Sequence, residues 1–231
     1  MYNWVLTRSW VWIGPAVIDE GKEMKKLGYG VGVNDADYVV MVNETLGYVN
    51  GKRRQRRVWV CPFYETWRGM LKRCFSEKLK ADSPTYKDVT CCEEWLTFSN
   101  FKRWMETQDW EGKQLDKDII FPNNKVYSPE TCAFVSCVTN VFVTASDAAR
   151  GEWPVGVYWN KKEKKFQSQC CNPFTKKVEY LGRFNCPKEA HEAWRKRKHE
   201  YAQLVAELEA DPRVSEALKK RYSVKEWNDK A

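Results

Sequence analysis

The chain carries 231 residues, 43% of them apolar and 14% aromatic, with 39 Lys and Arg against 31 Asp and Glu for a net charge of +8. That much core material excludes a globally disordered chain, and the length leaves room for two small domains. The positive balance points to a polyanionic partner, while nine cysteines, an odd number with Cys91-Cys92 and Cys170-Cys171 adjacent, argue against a disulfide framework and for reduced thiols.

The opening stretch, MYNWVLTRSWVWIGPAV, is apolar but interrupted by Arg8. It lacks a basic leader and a small-residue cleavage site and is too short to cross a bilayer, which predicts a cytoplasmic protein with no membrane partner. Up to residue 60, YGVGVNDADYVV and MVNETLGYVNGKRRQRRVWV read as short strands around Gly and Asn turns. The second is a candidate hairpin with a basic tip, and Asp35 and Asp37 shape the NDADY turn. From Phe63 the period changes: Phe63, Trp67, Met70, Leu71 and Cys74 fall on one helical face. Trp95, Phe98, Phe101, Trp104 and Met105 repeat the pattern, and Gly112 marks the end of that helix.

Residues 115–120 then read as a strand, 121–125 as a turn, Val126 and Tyr127 as its return strand, and Ser128-Pro129-Glu130 as a helix start. Alternation along a strand puts Asp116 and Asp118 on one face and Lys117 on the other. Two carboxylates on one face suit a hard divalent cation, magnesium or manganese, and Asn140 on the helix that packs back can supply a further oxygen. The same pattern also fits a solvated strand edge. Cys61, Cys74, Cys92 and Cys132 fall at turns or helix ends and are candidate ligands of a structural zinc, although no Cys-x-x-Cys pair is present; buried free thiols are the alternative.

A break at 149–154 separates the last part of the chain. There GVYWNKKEKKFQSQCCNPFTKKVEYLGRF reads as three strands joined by two polar hairpins, with Phe166, Ser168 and Cys170 facing away from Lys165, Gln167 and Gln169. Pro187 opens a helix with Ala190, Trp194, Tyr201, Leu204 and Leu208 on its apolar side. Asp211-Pro212 starts another, with Val214, Ala217, Leu218 and Tyr222. Basic residues gather at Lys52-Arg53-Arg54-Gln55-Arg56-Arg57, Lys161-Lys162-Glu163-Lys164-Lys165, Lys176-Lys177 and Arg195-Lys196-Arg197-Lys198. Any one cluster reads as a solvated face; four together favour DNA or RNA.

The run from CPFYETWRGMLKRCF through CCEEW and FSNFKRW to LDKDI and NNKVYSPETCAFV resembles the HNH-type, or His-Me finger, endonucleases that phages carry as free-standing homing enzymes. Trp67, Met70, Arg73, Cys74, Cys92, Trp95, Leu115, Asp116, Lys117, Tyr127, Ser128, Pro129, Glu130 and Cys132 carry the resemblance in order, over residues 61–150. It implies a hairpin-plus-helix metal site formed by Asp116, Asp118 and Asn140, and a location in the cytoplasm of an infected bacterium. That family opens its motif with a histidine as general base. This chain has only His191 and His199, both in the C-terminal helix, and at the motif position it offers Asp118, or Lys117 if the register shifts by one. An unperturbed aspartate is a weak base at neutral pH.

Residues 150–200 resemble the APETALA-type DNA-binding domain through Gly156-Val157, Phe166, Tyr180-Leu181-Gly182, Phe184 and Glu189-Ala190. In that family a three-stranded sheet enters the major groove, which implies DNA contacts for Tyr158, Trp159, Lys165, Gln167, Lys177 and Arg183. Hairpin-tip lysines, Lys161, Lys162, Lys164 and Lys176 among them, grip phosphate.

The expected fold is α+β. Residues 1–60 form an extension of short strands, 61–149 an HNH-like hairpin-plus-helix module with flanking helices, and 150–231 a three-stranded sheet packed on a helix. The leading functional expectation is a metal-dependent endonuclease acting on double-stranded DNA. Its alternatives are a DNA-binding protein with a degenerate nuclease-like fold and an interaction protein for a host factor.

Overall fold

The computed structural model describes residues 29–144 and 152–223, so the apolar opening stretch lies outside the described residues and the break at 149–154 partly so. Among the described residues the fold is α+β, with no helix long and apolar enough to cross a membrane. Strands β1 (Met41–Val49) and β2 (Lys52–Val60) form the expected antiparallel hairpin. Asn50 and Gly51 turn it at φ +48° and +72°, the left-handed pair that matches the twist of a two-residue hairpin loop.

Helix α1 (Pro62–Phe75) starts on Pro62, where a missing N–H costs nothing, and ends with Lys72 and Arg73, whose charges suit the helix C-terminus. It buries Tyr64, Trp67, Met70, Leu71 and Cys74, so Tyr64 takes the buried place expected of Phe63, which is only partly covered. A short helix, α2 (Glu77–Asp82), leads to strand β3 (Thr90–Cys91), a 3-10 turn at Glu93–Leu96 and helix α3 (Phe98–Glu106). Asp35 does not close its own turn. It accepts a hydrogen bond from Ser99 N at 2.9 Å and so caps α3. Trp67, fully buried, satisfies its indole N–H on the Trp95 carbonyl at 2.7 Å, and Trp95 meets Phe101 edge-on at 5.0 Å. Truncating such a tryptophan costs about 3–5 kcal/mol, so this aromatic cluster is the frame behind the motif.

The expected hairpin pairs differently. Strand β4 (Gln114–Asp116) runs antiparallel to β6 (Ala133–Val135), with Leu115 opposite Phe134 and Asp116 opposite Ala133. Val126–Tyr127, as β5, lies parallel to β3 instead. Nor does Ser128-Pro129-Glu130 start a helix. Thr131 Oγ1 accepts from Ser128 N at 3.2 Å and donates to the Val126 carbonyl at 2.7 Å, and these side-chain bonds offer the backbone a turn in place of a helix. Helix α4 (Cys137–Val143) begins later, capped by Ser136 Oγ on Thr139 N at 3.1 Å. The local order is therefore strand, long loop, strand, helix.

Strands β7 (Val157–Asn160), β8 (Lys165–Cys171) and β9 (Val178–Phe184) form an antiparallel three-stranded sheet, and helix α5 (Pro187–Ala206) packs on one face of it. Helix α6 (Pro212–Arg221) packs against α5 and buries Val214 and Leu218, as expected. Leu204 and Leu208, expected on the apolar stripe, are 47% and 59% exposed. Ala190 and Tyr201 are buried as expected, with His191, and they are joined by Ala202, Val205 and Ala206, small enough to let α5 sit close to its neighbours. A second core joins these residues to Ile119, Ala133, Val135, Phe142 and Val143, so it draws from both sides of residue 150.

Candidate functional site

Strand β4 delivers Asp116 to the start of the 117–132 loop. There its Oδ1 accepts from the backbone N–H groups of Asp118 at 2.8 Å and Ile119 at 2.7 Å, turning the chain sharply. Asp118 therefore lies beyond the strand, and the simple alternation expected for 116–118 does not hold. Lys117 is 7% exposed, with Nζ 2.9 Å from Asp118 Oδ2 and 5.9 Å from the centroid of the Tyr127 ring. Asn124 closes the loop by donating to the carbonyls of Lys117 and Val126, both at 2.7 Å.

Asp116, Asp118 and Asn140 nevertheless line one cavity of about 460 Å³, together with Arg73, Lys117, Lys125 and Arg221. Helix α4 presents Asn140, whose amide Nδ2 donates to Gln114 Oε1 on β4, which leaves the Oδ1 end of the amide as an oxygen donor. Asp116 titrates above the ordinary aspartate value. Burial is the larger cause and the neighbouring Asp118 charge the next, while the two backbone N–H bonds and Lys117 pull the other way. Arg73, whose guanidinium carbon lies 5.2 Å from the centroid of the Tyr127 ring, and Arg221 each hold a buried nitrogen, Nε and Nη1, with no hydrogen-bond partner among the described residues. The cavity lining therefore brings three side chains with hard oxygen donors together with two guanidinium groups. That donor set fits a divalent metal beside a phosphate.

The cysteines do not converge. Among the described residues no group of three or more His, Cys, Asp or Glu side chains is placed to hold a metal. Cys61 Sγ sits 3.6 Å from the Tyr38 hydroxyl, and Cys74 hydrogen-bonds Cys91 instead of Cys92. That bond, reinforced by burial, raises the Cys74 pKa. Burial also raises Cys92 and pushes Cys132 up to about 12. A four-thiolate zinc site is thus replaced by separate thiols that pack as small hydrophobes.

The C-terminal sheet offers an open face. Tyr158, Gln167 and Arg183 are cross-strand partners on the side away from α5, and Tyr158, Lys165, Tyr180 and Arg183 are exposed there. Lys161, Lys162, Lys164, Lys176 and Lys177 are exposed in or beside the two hairpin turns. Gln167 is covered on this face, and Trp159, 37% exposed, belongs to the other. Gln167 is 7% exposed and donates to Glu163 Oε2 at 2.9 Å, beneath the Arg183–Glu163 ion pair at 2.8 Å. Trp159 pairs with Phe166, their rings 4.7 Å apart, on the side of Ser168 and Cys170 that faces α5.

Sequence reasoning missed Arg221, Lys125 and the site role of Arg73. Arg73 belongs to the quoted motif, but Arg221 reaches the cavity only through the packing of α6, for which the sequence carries no signal. His191 and His199 both lie on α5, and neither lines the cavity. Compared with family models, curated proteins and solved structures, the chain matches none.

Proposed function

We propose that the chain is a DNA-binding endonuclease that cleaves phosphodiester bonds at this cavity with a divalent cation, magnesium or manganese. The carrying observation is the presence in one cavity of Asp116, Asp118 and Asn140 with the cationic side chains Arg73, Lys125 and Arg221. Asp116, Asp118 and Asn140 would hold the cation, which when bound stabilises the leaving oxygen of the cleaved bond. Arg73, Lys125 and Arg221 orient the phosphate, and Asp118 is the acceptor for the proton of the attacking water, with Lys117 setting its position from 2.9 Å. The open face of β7, β8 and β9 docks the duplex: Tyr158, Lys165 and Arg183 touch it, and the hairpin lysines grip phosphate. The order strand, loop, strand, helix and the resemblance to HNH-type enzymes both support the reading.

One observation favours a second reading, DNA binding without cleavage: Lys117 occupies one oxygen of the carboxylate that would serve as base, and no histidine is near. Nicking of supercoiled plasmid with magnesium or manganese separates the two. Wild type should nick, and Asp116→Asn and Asp118→Asn should lose at least about a hundredfold in rate. Asp116→Asn keeps an acceptor for the two backbone amides, so it should melt no lower than wild type without metal. Nicking by both variants at the parent rate would remove the site. Tight duplex binding by a wild type that never nicks selects the second reading.

A further inference from the structure

The β1–β2 ribbon belongs to neither the cavity nor the C-terminal sheet. It carries Lys52, Arg53, Arg54, Arg56 and Arg57 against a single carboxylate, Glu44. Of residues 43–59, all but Gly47 are exposed. The base of the ribbon is held to α1 and the core by Arg57 on Glu65 at 3.0 Å, by Arg68 against Met41 Sδ at 3.9 Å and by Val60 packing. A lone two-stranded ribbon is marginal in water, so it gains most from a partner that covers it.

The cations are not equivalent. Arg56 is paired with Glu44 at 2.7 Å, and Arg53 donates to Thr45 Oγ1 at 2.9 Å. Lys52 and Arg54, beside the turn, make no ion pair or side-chain hydrogen bond among the described residues. Nine residues per strand span about 30 Å, and the major groove, about 12 Å wide, admits a two-stranded ribbon. Register shifts between Val42 and Asn43 and between Thr45 and Gly47 add right-handed twist, which helps a ribbon follow a helical groove. Exposed Leu46, Tyr48, Val58 and Trp59 would also suit a lipid surface, but five cations with one acid complement a polyanion better.

We infer that the ribbon is a second DNA contact, an arm that enters the major groove of a duplex with Lys52 and Arg54 on phosphates. The inference rests on the reading of the ligand as duplex DNA and does not depend on cleavage. The test uses the full chain and a duplex of about 30 base pairs, with affinity followed by fluorescence anisotropy from about 50 to 200 mM salt. Lys52→Ala/Arg54→Ala should flatten the slope of log affinity against log salt by about 2 and weaken binding about tenfold at the lower salt. Glu44→Gln should steepen the slope. Circular dichroism should be unchanged, because the altered side chains are exposed. If wild type binds the duplex and the double variant matches it in affinity and slope, the arm is refuted while the C-terminal docking face stands. If wild type shows no salt-dependent duplex binding, the DNA reading falls and takes the arm with it. Loss of binding to phosphatidylserine vesicles, with duplex binding intact, overturns the arm in favour of a membrane surface.

Discussion

Replacing Lys198 with methionine tests how the C-terminal helices hold α4. Lys198 Nζ donates to the Phe142 carbonyl at 2.8 Å and lies 3.6 Å from the centroid of the Phe142 ring. Both contacts favour the ammonium, yet burial outweighs them and pulls the Lys198 pKa from 10.5 to about 8. That fall corresponds to about 3 kcal/mol between the charged and neutral forms. From about pH 8 to pH 10.5 the unfolded chain keeps this proton while the folded chain has released it. The unfolded state therefore binds more protons, and the stability contributed here rises with pH across that window. Below it both states are charged and the full burial cost is present. Buried acids with raised pKa lose stability as pH rises: Tyr222 is common to both proteins and cancels in the difference, whereas the Lys198 charge lowers the Cys170 pKa, so the comparison is made in a Cys170→Ala background. In that background the unfolding free energy of the parent minus that of Lys198→Met should thus climb by about 3 kcal/mol between about pH 7 and pH 10.5. Urea denaturation followed by tryptophan fluorescence measures it at each pH. A difference that stays flat to within about 1 kcal/mol would refute the account of Lys198 as a buried, costly cation.

Glu209 holds the other end of α4, accepting from Thr139 Oγ1 and from Ser136 N at 3.3 Å. Glu209→Ala leaves both donors without that acceptor and should cost about 2–3 kcal/mol in urea denaturation. A cycle with Thr139→Val should show a coupling of about 1 kcal/mol or more, and additivity would separate the two groups. Gly156 has φ +81°, and a Cβ there would lie 2.1 Å from Trp194 Cδ1. Gly156→Ala should therefore lower the unfolding free energy by more than about 2 kcal/mol and change the near-ultraviolet circular dichroism of the sheet–helix packing.

The parts legible in the sequence are those whose signals are local. Pro187 and Pro212 each stand at a helix start, and Asn50-Gly51 turns a hairpin, because those residues impose their own backbone angles. The helical spacing of Trp67, Met70, Leu71 and Cys74 likewise predicts the core face of α1. The pairing around the motif was not legible. Strands of two or three residues carry too short a pattern to choose partners, and Val126-Tyr127 fits β3 as well by alternation as it fits β4. The Ser-Pro-Glu step reads as a helix start until Thr131 supplies the side-chain bonds that hold a turn. Gln167 occupies the correct face, but only the structure shows Glu163 and Arg183 closing over it.

The cavity itself depends on contacts that no local pattern announces. Helix α4, which presents Asn140, has seven residues, too few to be stable alone in water. Its orientation is set from outside, by Glu209 at the N-terminal end and Lys198 at the C-terminal end, each with the sign that the helix dipole favours. Arg213 of α6 donates to the carbonyls of Glu130 and Cys132, both at 3.3 Å, and so fixes the turn before β6. Arg221, at the end of α6, adds a guanidinium to the cavity wall. The C-terminal helices thus do two jobs: α5 backs the sheet proposed to dock DNA, and with α6 it holds the helix and wall of the proposed cleavage site.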